Sequence, residues 1–140
     1  MAKTYTTDPQ VFALNISEFV NKAKEAPEKV VRKVGIDVTA RLVTRSPVDT
    51  GRFRANWVCA FHSPSAFITP STDKSGAGTI ARITTQLNGW SGGDIYFTNS
   101  LPYAIPLEYG HSDQAPNGMV RLTVNEWNGI VEKAAKEVEE

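Results

Sequence analysis

The triplet Asp49-Thr50-Gly51 is a first candidate for chemistry, because aspartic proteases carry the same residues around a catalytic carboxylate. In those enzymes two aspartates share one proton, which requires a buried setting. Here Arg52 follows the triplet directly, and its positive charge would keep Asp49 ionised. A turn in which Gly51 supplies the backbone freedom explains the triplet better. A protease built on Asp49 is the weaker alternative.

The run Gly89-Trp90-Ser91-Gly92-Gly93 fits the Gly-x-Ser-x-Gly pattern of hydrolase nucleophiles, and Asp94 and His111 follow in the order of a catalytic triad. Such a serine must lie between a strand and a helix, whereas the pattern after Gly93 predicts another strand. We therefore interpret the run as a hairpin turn that exposes Trp90 as a contact residue. A small hydrolase using Ser91 is the alternative.

Metal and cofactor sites have little support in the sequence. His62 and His111 lack the spacing of metal ligands, and Cys59 falls on the predicted inward face of a strand. No phosphate-binding Gly-x-x-x-x-Gly-Lys segment is present. We expect no cofactor, no metal and no catalytic residues, which favours a structural or binding role over an enzyme.

Periodicity predicts the elements that position these residues. Apolar residues recur at helical spacing from Ile16, Pro27 predicts a restart or a kink, and Pro47 should end the helix near Arg45. We expect residues 1–15 to form an N-terminal arm.

Three strands are predicted next, at Arg52 to His62, Thr79 to Leu87 and Asp94 to Thr98, and together they would form an antiparallel β-meander. The Ser63 to Gly78 connection is longer than usual, so it should be functional or mobile. A final helix runs from Val120 to Val138. The expected fold is a single α+β domain over residues 16–140, with a long N-terminal helix and a C-terminal helix packed on the sheet.

Composition bounds the class of protein. The chain has 140 residues, of which 41% are hydrophobic and 21% charged, as in one compact domain. The sequence contains no run of about 18 apolar residues, the length that a helix needs to span a membrane. The polar start of the chain predicts no secretory signal, and the single cysteine suits a reducing cytoplasm.

Charge is balanced overall but not along the chain. Fifteen basic and fifteen acidic residues give a net charge of zero, which does not favour binding to nucleic acid or to an anionic membrane. A separate nucleic-acid-binding module is a third alternative. Residues 1–82 carry a net charge of +5 and residues 83–140 a net charge of −5. These charges would pair within one fold, or head to tail between copies of the chain.

Two segments resemble paired signatures of one bacteriophage family, the neck or tail-completion proteins of long-tailed phages, which include the lambda tail-completion protein. The first runs from Ser46 to Arg54 (Ser-Pro-Val-Asp-Thr-Gly-Arg-Phe-Arg) and the second from Asn99 to Gly110 (Asn-Ser-Leu-Pro-Tyr-Ala-Ile-Pro-Leu-Glu-Tyr-Gly). Ala115-Pro116-Asn117-Gly118-Met119 is similar to the junction before the family's last helix. The resemblance covers roughly Val30 to Val138.

This resemblance implies a non-enzymatic virion protein that forms a ring, expected to be a hexamer, at the head–tail junction or tail end. A tail terminator ring that caps the tail tube is a neighbouring alternative. The implied partners are further copies of the chain, adjacent neck and tail-tube proteins and DNA passing through the ring, with no membrane. The implied location is the virion, after assembly in the host cytoplasm.

We expect the residues of these signatures, together with Trp90, to form contacts between subunits. Glu108 is predicted to pair with Arg52 or Arg54, because a guanidinium binds a carboxylate through two parallel hydrogen bonds. This pair would stabilise the fold if it forms within one subunit, or join the ring if it forms between subunits. The loop from Ser63 to Gly78 is expected to reach a neighbouring ring or tube. The predicted interface residues are Asp49, Gly51, Arg52, Arg54, Trp90, Tyr103, Glu108 and Tyr109.

Overall fold

Helices and a small antiparallel sheet make up the described part of the chain, which comprises residues 5–7, 10–14, 27–110, 112–115 and 117–139 of a computed structural model. The strands are β1 (Tyr5–Thr7), β2 (Val11–Leu14), β3 (Trp57–Phe61) and β4 (Ile95–Asn99). The helices are α1 (Pro27–Arg45), α2 (Arg52–Ala55), α3 (Ala77–Asn88), α4 (Ala104–Glu108), α5 (Val120–Asn125) and α6 (Trp127–Glu139). The mixed α and β composition is confirmed.

Helix α1 ends where the sequence predicts. Ser46 closes the helix: its backbone N–H donates to Val43 O at 3.2 Å and its hydroxyl to Leu42 O at 2.6 Å. Pro47 then prevents the helix from continuing. The helical pattern predicted between Ile16 and Ala26 lies outside the described residues.

The sheet has the order β1-β2-β4-β3, and all its pairs are antiparallel. Strands β1 and β2 come from the predicted N-terminal arm. Phe97 of β4 lies opposite both Phe12 of β2 and Cys59 of β3, and all three are buried. The predicted meander of three consecutive strands is wrong, because its middle strand is absent and β2 pairs with β4 instead.

The segment predicted as that middle strand is helix α3. Thr79, Ile83 and Leu87 are its buried residues. Positions spaced by four satisfy both the two-residue repeat of a strand and one face of a helix, so the alternation alone is ambiguous. A carboxylate before the helix stabilises its first turn: Asp73 accepts hydrogen bonds from the Thr79 backbone and hydroxyl at 2.7 and 2.8 Å.

The first predicted strand begins later than expected. Residues Arg52–Ala55 form the single helical turn α2, and β3 starts at Trp57. Arg52 and Arg54 therefore do not lie on a sheet face. The indole N–H of Trp57 donates to the buried Ser46 hydroxyl at 2.7 Å, which fixes the start of β3 against the end of α1.

The outer edge of β3 is covered by side chains from α3. The Arg82 guanidinium donates to the carbonyl of Trp57, and the Gln86 amide donates to the carbonyl of Cys59 at 3.2 Å. These carbonyls thus have partners although no fifth strand pairs with β3 in the described part of the sheet.

The core lies between the sheet and α1. Helix α1 packs against α3 on one side and α6 on the other, and Trp127 at the start of α6 contacts Phe12 with ring centroids 5.8 Å apart. The helical pattern predicted from Val120 is confirmed, but it is divided at Glu126 into α5 and α6. None of the helices in the described ranges has the length and apolar character required to cross a membrane.

Candidate functional site

The two signature segments come together around one surface groove of ≈ 380 Å³, which we call the motif groove. The turn between α1 and α2 forms one wall, and α4 with the loop after it forms the other. The lining residues are Pro47, Val48, Asp49, Thr50, Gly51, Arg52, Phe53, Tyr103, Leu107, Ser112 and Gln114. Predicted interface residues from both signatures, Asp49, Gly51, Arg52 and Tyr103, therefore share one site.

Gln114 links the two walls. Its amide oxygen accepts from the Val48 backbone N–H at 2.8 Å, and its amide nitrogen donates to the Val48 carbonyl at 3.0 Å. No pattern in the sequence points to this contact, because the partners are 66 positions apart and one of them contributes only backbone atoms.

Apolar side chains are exposed in the groove and on helix α4 beside it. The rings of Phe53 and Tyr103 have centroids 5.6 Å apart, with Phe53 buried and Tyr103 40% exposed. Ile105 and Tyr109 are also largely exposed. Large apolar side chains are thus exposed at three positions within seven residues, of which Tyr103 lines the groove.

Gly51 has the conformation that its turn requires. Its φ of +91° favours glycine, and a Cβ there would lie 2.5 Å from the backbone N of Lys74. Its carbonyl accepts from the Asp73 backbone N–H at 2.9 Å, so this turn holds the end of the loop that precedes α3.

Arg52 and Arg54 bind backbone carbonyls of the same chain. Arg52 Nε donates to Thr69 O at 3.1 Å. Arg54 donates to Thr44, Ser46 and Lys74 carbonyls at 2.9–3.0 Å, and to Ser75 O at 3.3 Å. Both arginines thus fasten the long loop to α2 and to the end of α1. That loop ends at Gly76, and its mobility stays a prediction.

Within one chain, the predicted pairing of Glu108 with Arg52 or Arg54 is wrong. Glu108 is 1% exposed, and its carboxylate accepts from the backbone N–H groups of Met119, Val120 and Arg121 at 2.8–2.9 Å. Arg121 Nε adds an ion pair at 3.2 Å. The carboxylate caps α5, where the N–H groups of the first turn lack helical partners, so its charge is used within the fold.

Tyr109 and Trp90 have contrasting positions. Tyr109 is 56% exposed, and the Arg121 guanidinium carbon lies 5.0 Å from its ring centroid. Trp90 is buried, contrary to its predicted exposure in a hairpin turn, because the turn joins α3 to β4 and directs the indole inward. Its indole N–H donates to Gly93 O at 3.0 Å, and Trp90 does not line the motif groove.

Ser91 and Asp49, the residues on which the two hydrolase alternatives rest, are both exposed. Ser91 is exposed between a helix and a strand, the reverse of the strand-to-helix turn of a nucleophile elbow. His111 lies outside the described residues. Asp49 is exposed, whereas a proton-sharing pair of aspartates needs burial. Within the described ranges, no group of three or more His, Cys, Asp or Glu residues is placed to hold a metal ion.

Part of the charge asymmetry is neutralised within the chain. Glu126, at the junction of α5 and α6, pairs with Arg45 and, at 2.9 Å, with Arg41. The hydrogen bond from Arg45 is the main cause that lowers the pKa of Glu126, and Arg41 adds to it. Lys33 of α1 also pairs with Glu137 of α6 at 3.3 Å. These contacts join the basic first part of the chain to the acidic second part.

Two further exposed apolar residues, Phe67 and Ile68, lie in the long loop. A signal for them is present in the sequence, since they are the large apolar residues of a loop otherwise rich in Ser, Thr, Pro and Gly. Ala55 and Arg82 flank Phe67 in a second surface depression, separate from the motif groove.

Comparison of the chain with protein-family models, with curated proteins and with solved structures gives no match.

Proposed function

We propose that this chain is a structural virion protein of the phage head–tail connection, acting in the neck or in tail completion as the subunit of a ring. The observation that carries the proposal is the motif groove, where the two segments that resemble the phage family meet. Val48 and Phe53 of the first segment contact Gln114 and Tyr103 across it.

The chemistry of this site suits binding to protein. Exposed apolar side chains at Tyr103, Ile105 and Tyr109 favour a contact that removes them from water. The charged side chains of the signatures are mostly engaged elsewhere: Arg54 and Glu108 bind groups of their own chain. Polar residues that hold a rigid frame, with apolar residues left exposed, are typical of a surface used for assembly.

The proposed partners are further copies of the chain, in a ring expected to hold six, and the adjacent neck and tail-tube proteins. DNA would pass through the ring. We place the protein in the virion, after assembly in the host cytoplasm, with no cofactor and no membrane. A tail terminator ring is the neighbouring form of the same proposal, and position in the particle separates the two.

Immunogold electron microscopy of particles of the phage that encodes the chain tests this proposal. Label at the head–tail junction supports a neck or completion role, and label at the tail tube's terminal ring supports the terminator. Particles that assemble fully and contain none of the protein by mass spectrometry would contradict both. A protease and esterase panel on the purified protein checks the hydrolase alternatives, with Ser91→Ala and Asp49→Asn variants as controls.

A further inference from the structure

Phe67 and Ile68 are adjacent exposed apolar residues of the long loop, which we call the tip, and the backbone is hydrogen-bonded on both sides of them. They are 56% and 44% exposed. On one side, Ser65 O accepts a hydrogen bond from the Ser100 hydroxyl at 3.2 Å. On the other, the Thr69 backbone exchanges two hydrogen bonds with the Asn56 side chain, both at 2.9 Å. The backbone on either side of the tip therefore has hydrogen-bond partners within the chain, and such restraints lower the entropic cost of binding.

The motif groove is a receiving surface of suitable chemistry. Pro47, Val48, Phe53, Tyr103 and Leu107 provide its apolar lining. Its volume of ≈ 380 Å³ lies within the roughly 300–1,000 Å³ of cavities that hold small organic molecules, so one or two side chains fit it.

The scarcity of charged residues in the tip and the motif groove indicates which class of partner they bind. Residues 63–72, which carry the tip, contain no charged residue, and neither do residues 95–107, which carry most of α4. The groove is lined by one charge of each sign, Asp49 and Arg52. A polyanion or an anionic membrane would meet a single positive charge here, Arg52, beside the negative charge of Asp49. An uncharged apolar protein surface would be complementary, because charged groups are depleted in the cores of protein interfaces.

A second copy of the chain supplies such a surface without any further component. We propose that the tip, Phe67 and Ile68, of one copy binds in the motif groove of a second copy. This contact would join neighbouring subunits of the proposed ring. It rests on the proposed function, because that function requires self-assembly of the chain. The tip and the groove are different surfaces, so one-way contacts of this kind run head to tail and can close into a ring.

Cysteine cross-linking tests the contact. Ile68→Cys places a thiol on the tip and Asp49→Cys places one at the groove, both at exposed positions. Under mild oxidation, a mixture of the two variants should give a disulfide-linked pair of chains, whereas each variant alone should not. Ser91→Cys, exposed outside the groove, is the matched control and should not cross-link to Ile68→Cys. Equal cross-linking by Ile68→Cys alone, or no cross-link in the mixture, would overturn the contact.

Sedimentation velocity provides the second measurement. Replacing both Phe67 and Ile68 by Ser should weaken self-association about tenfold or more, while the circular dichroism spectrum is unchanged because both side chains are exposed. Unchanged self-association would overturn the contact. A cross-linked complex that stops at two copies would support the contact and contradict the ring. A complex of more than two copies that forms without the cross-link would contradict the contact and support the ring.

Discussion

The carboxylate of Glu108 lies 2.8 Å from the backbone nitrogen of Val120 and closes the first turn of α5. This bond joins the end of the second signature to the start of the C-terminal helices. Glu108 thus stabilises the fold of its own chain, through backbone groups and not through the arginines that the sequence predicted.

Replacing Glu108 tests that role. Glu108→Ala leaves the buried N–H groups of Met119 and Val120 without acceptors, so we expect the free energy of unfolding to fall by about 3 kcal/mol. Urea unfolding followed by circular dichroism measures the change. Glu132→Ala, at an exposed position of α6, is the control and should change it by less than about 0.5 kcal/mol. A similar change in the free energy of unfolding for Glu108→Ala and Glu132→Ala would show that the hydrogen bonds of Glu108 to α5 add no stability of their own.

Stability should depend on pH through Glu126. Its pKa is lower in the folded chain because Arg45 and Arg41 bind its carboxylate. The resulting stabilisation is complete above the ordinary value of 4.5 and is lost as the pH falls through the lower folded pKa. Urea unfolding in a series of acidic buffers should therefore show a smaller loss for Glu126→Gln than for the unchanged chain. Glu132→Gln should retain the original pH dependence, and an equal slope in both variants would contradict the prediction.

Two glycines should respond to alanine in opposite ways. At Gly51 the φ of +91° and the 2.5 Å approach to the Lys74 backbone make any side chain unfavourable, so Gly51→Ala should destabilise the chain by about 2 kcal/mol or more. Gly129 lies inside α6, where an added Cβ would meet no atom within 4 Å, and Gly129→Ala should stabilise the chain by about 1 kcal/mol. Thermal unfolding of both variants measures the loss of stability expected for Gly51→Ala and the gain expected for Gly129→Ala. A stable Gly51→Ala variant would show that the turn can take another conformation.

Cys59 should be unreactive in the folded chain. Burial raises the pKa of its thiol to about 12, and the thiolate is the reactive form. A coloured disulfide reagent at neutral pH should therefore label Cys59 only as fast as the chain unfolds, and rapidly in urea. The exposed thiol of Ser91→Cys, in the same protein, should react at once. Fast labelling of Cys59 in the folded chain would indicate local opening of β3.

Prediction from the sequence succeeds for those elements whose ends carry strong local signals. Pro47 ends α1 near Arg45, and the strand predicted at Asp94 to Thr98 is present as β4. Prediction is wrong where local patterns are ambiguous. The two-residue repeat from Thr79 to Leu87 suggests a strand, but the segment is a helix whose first turn binds Asp73. The candidate site is predictable in part: the signatures identify its walls, but the partner of Glu108 cannot be chosen among fifteen basic residues. The partner of a charged residue depends on which distant segments the fold brings next to it.

The side chains of Arg82 and Gln86 have a consequence for how this sheet can grow. With the carbonyls of Trp57 and Cys59 already engaged, an incoming strand from another molecule would have to displace two donors before it could extend the sheet beyond β3. Fibril-like stacking through that border is thereby disfavoured.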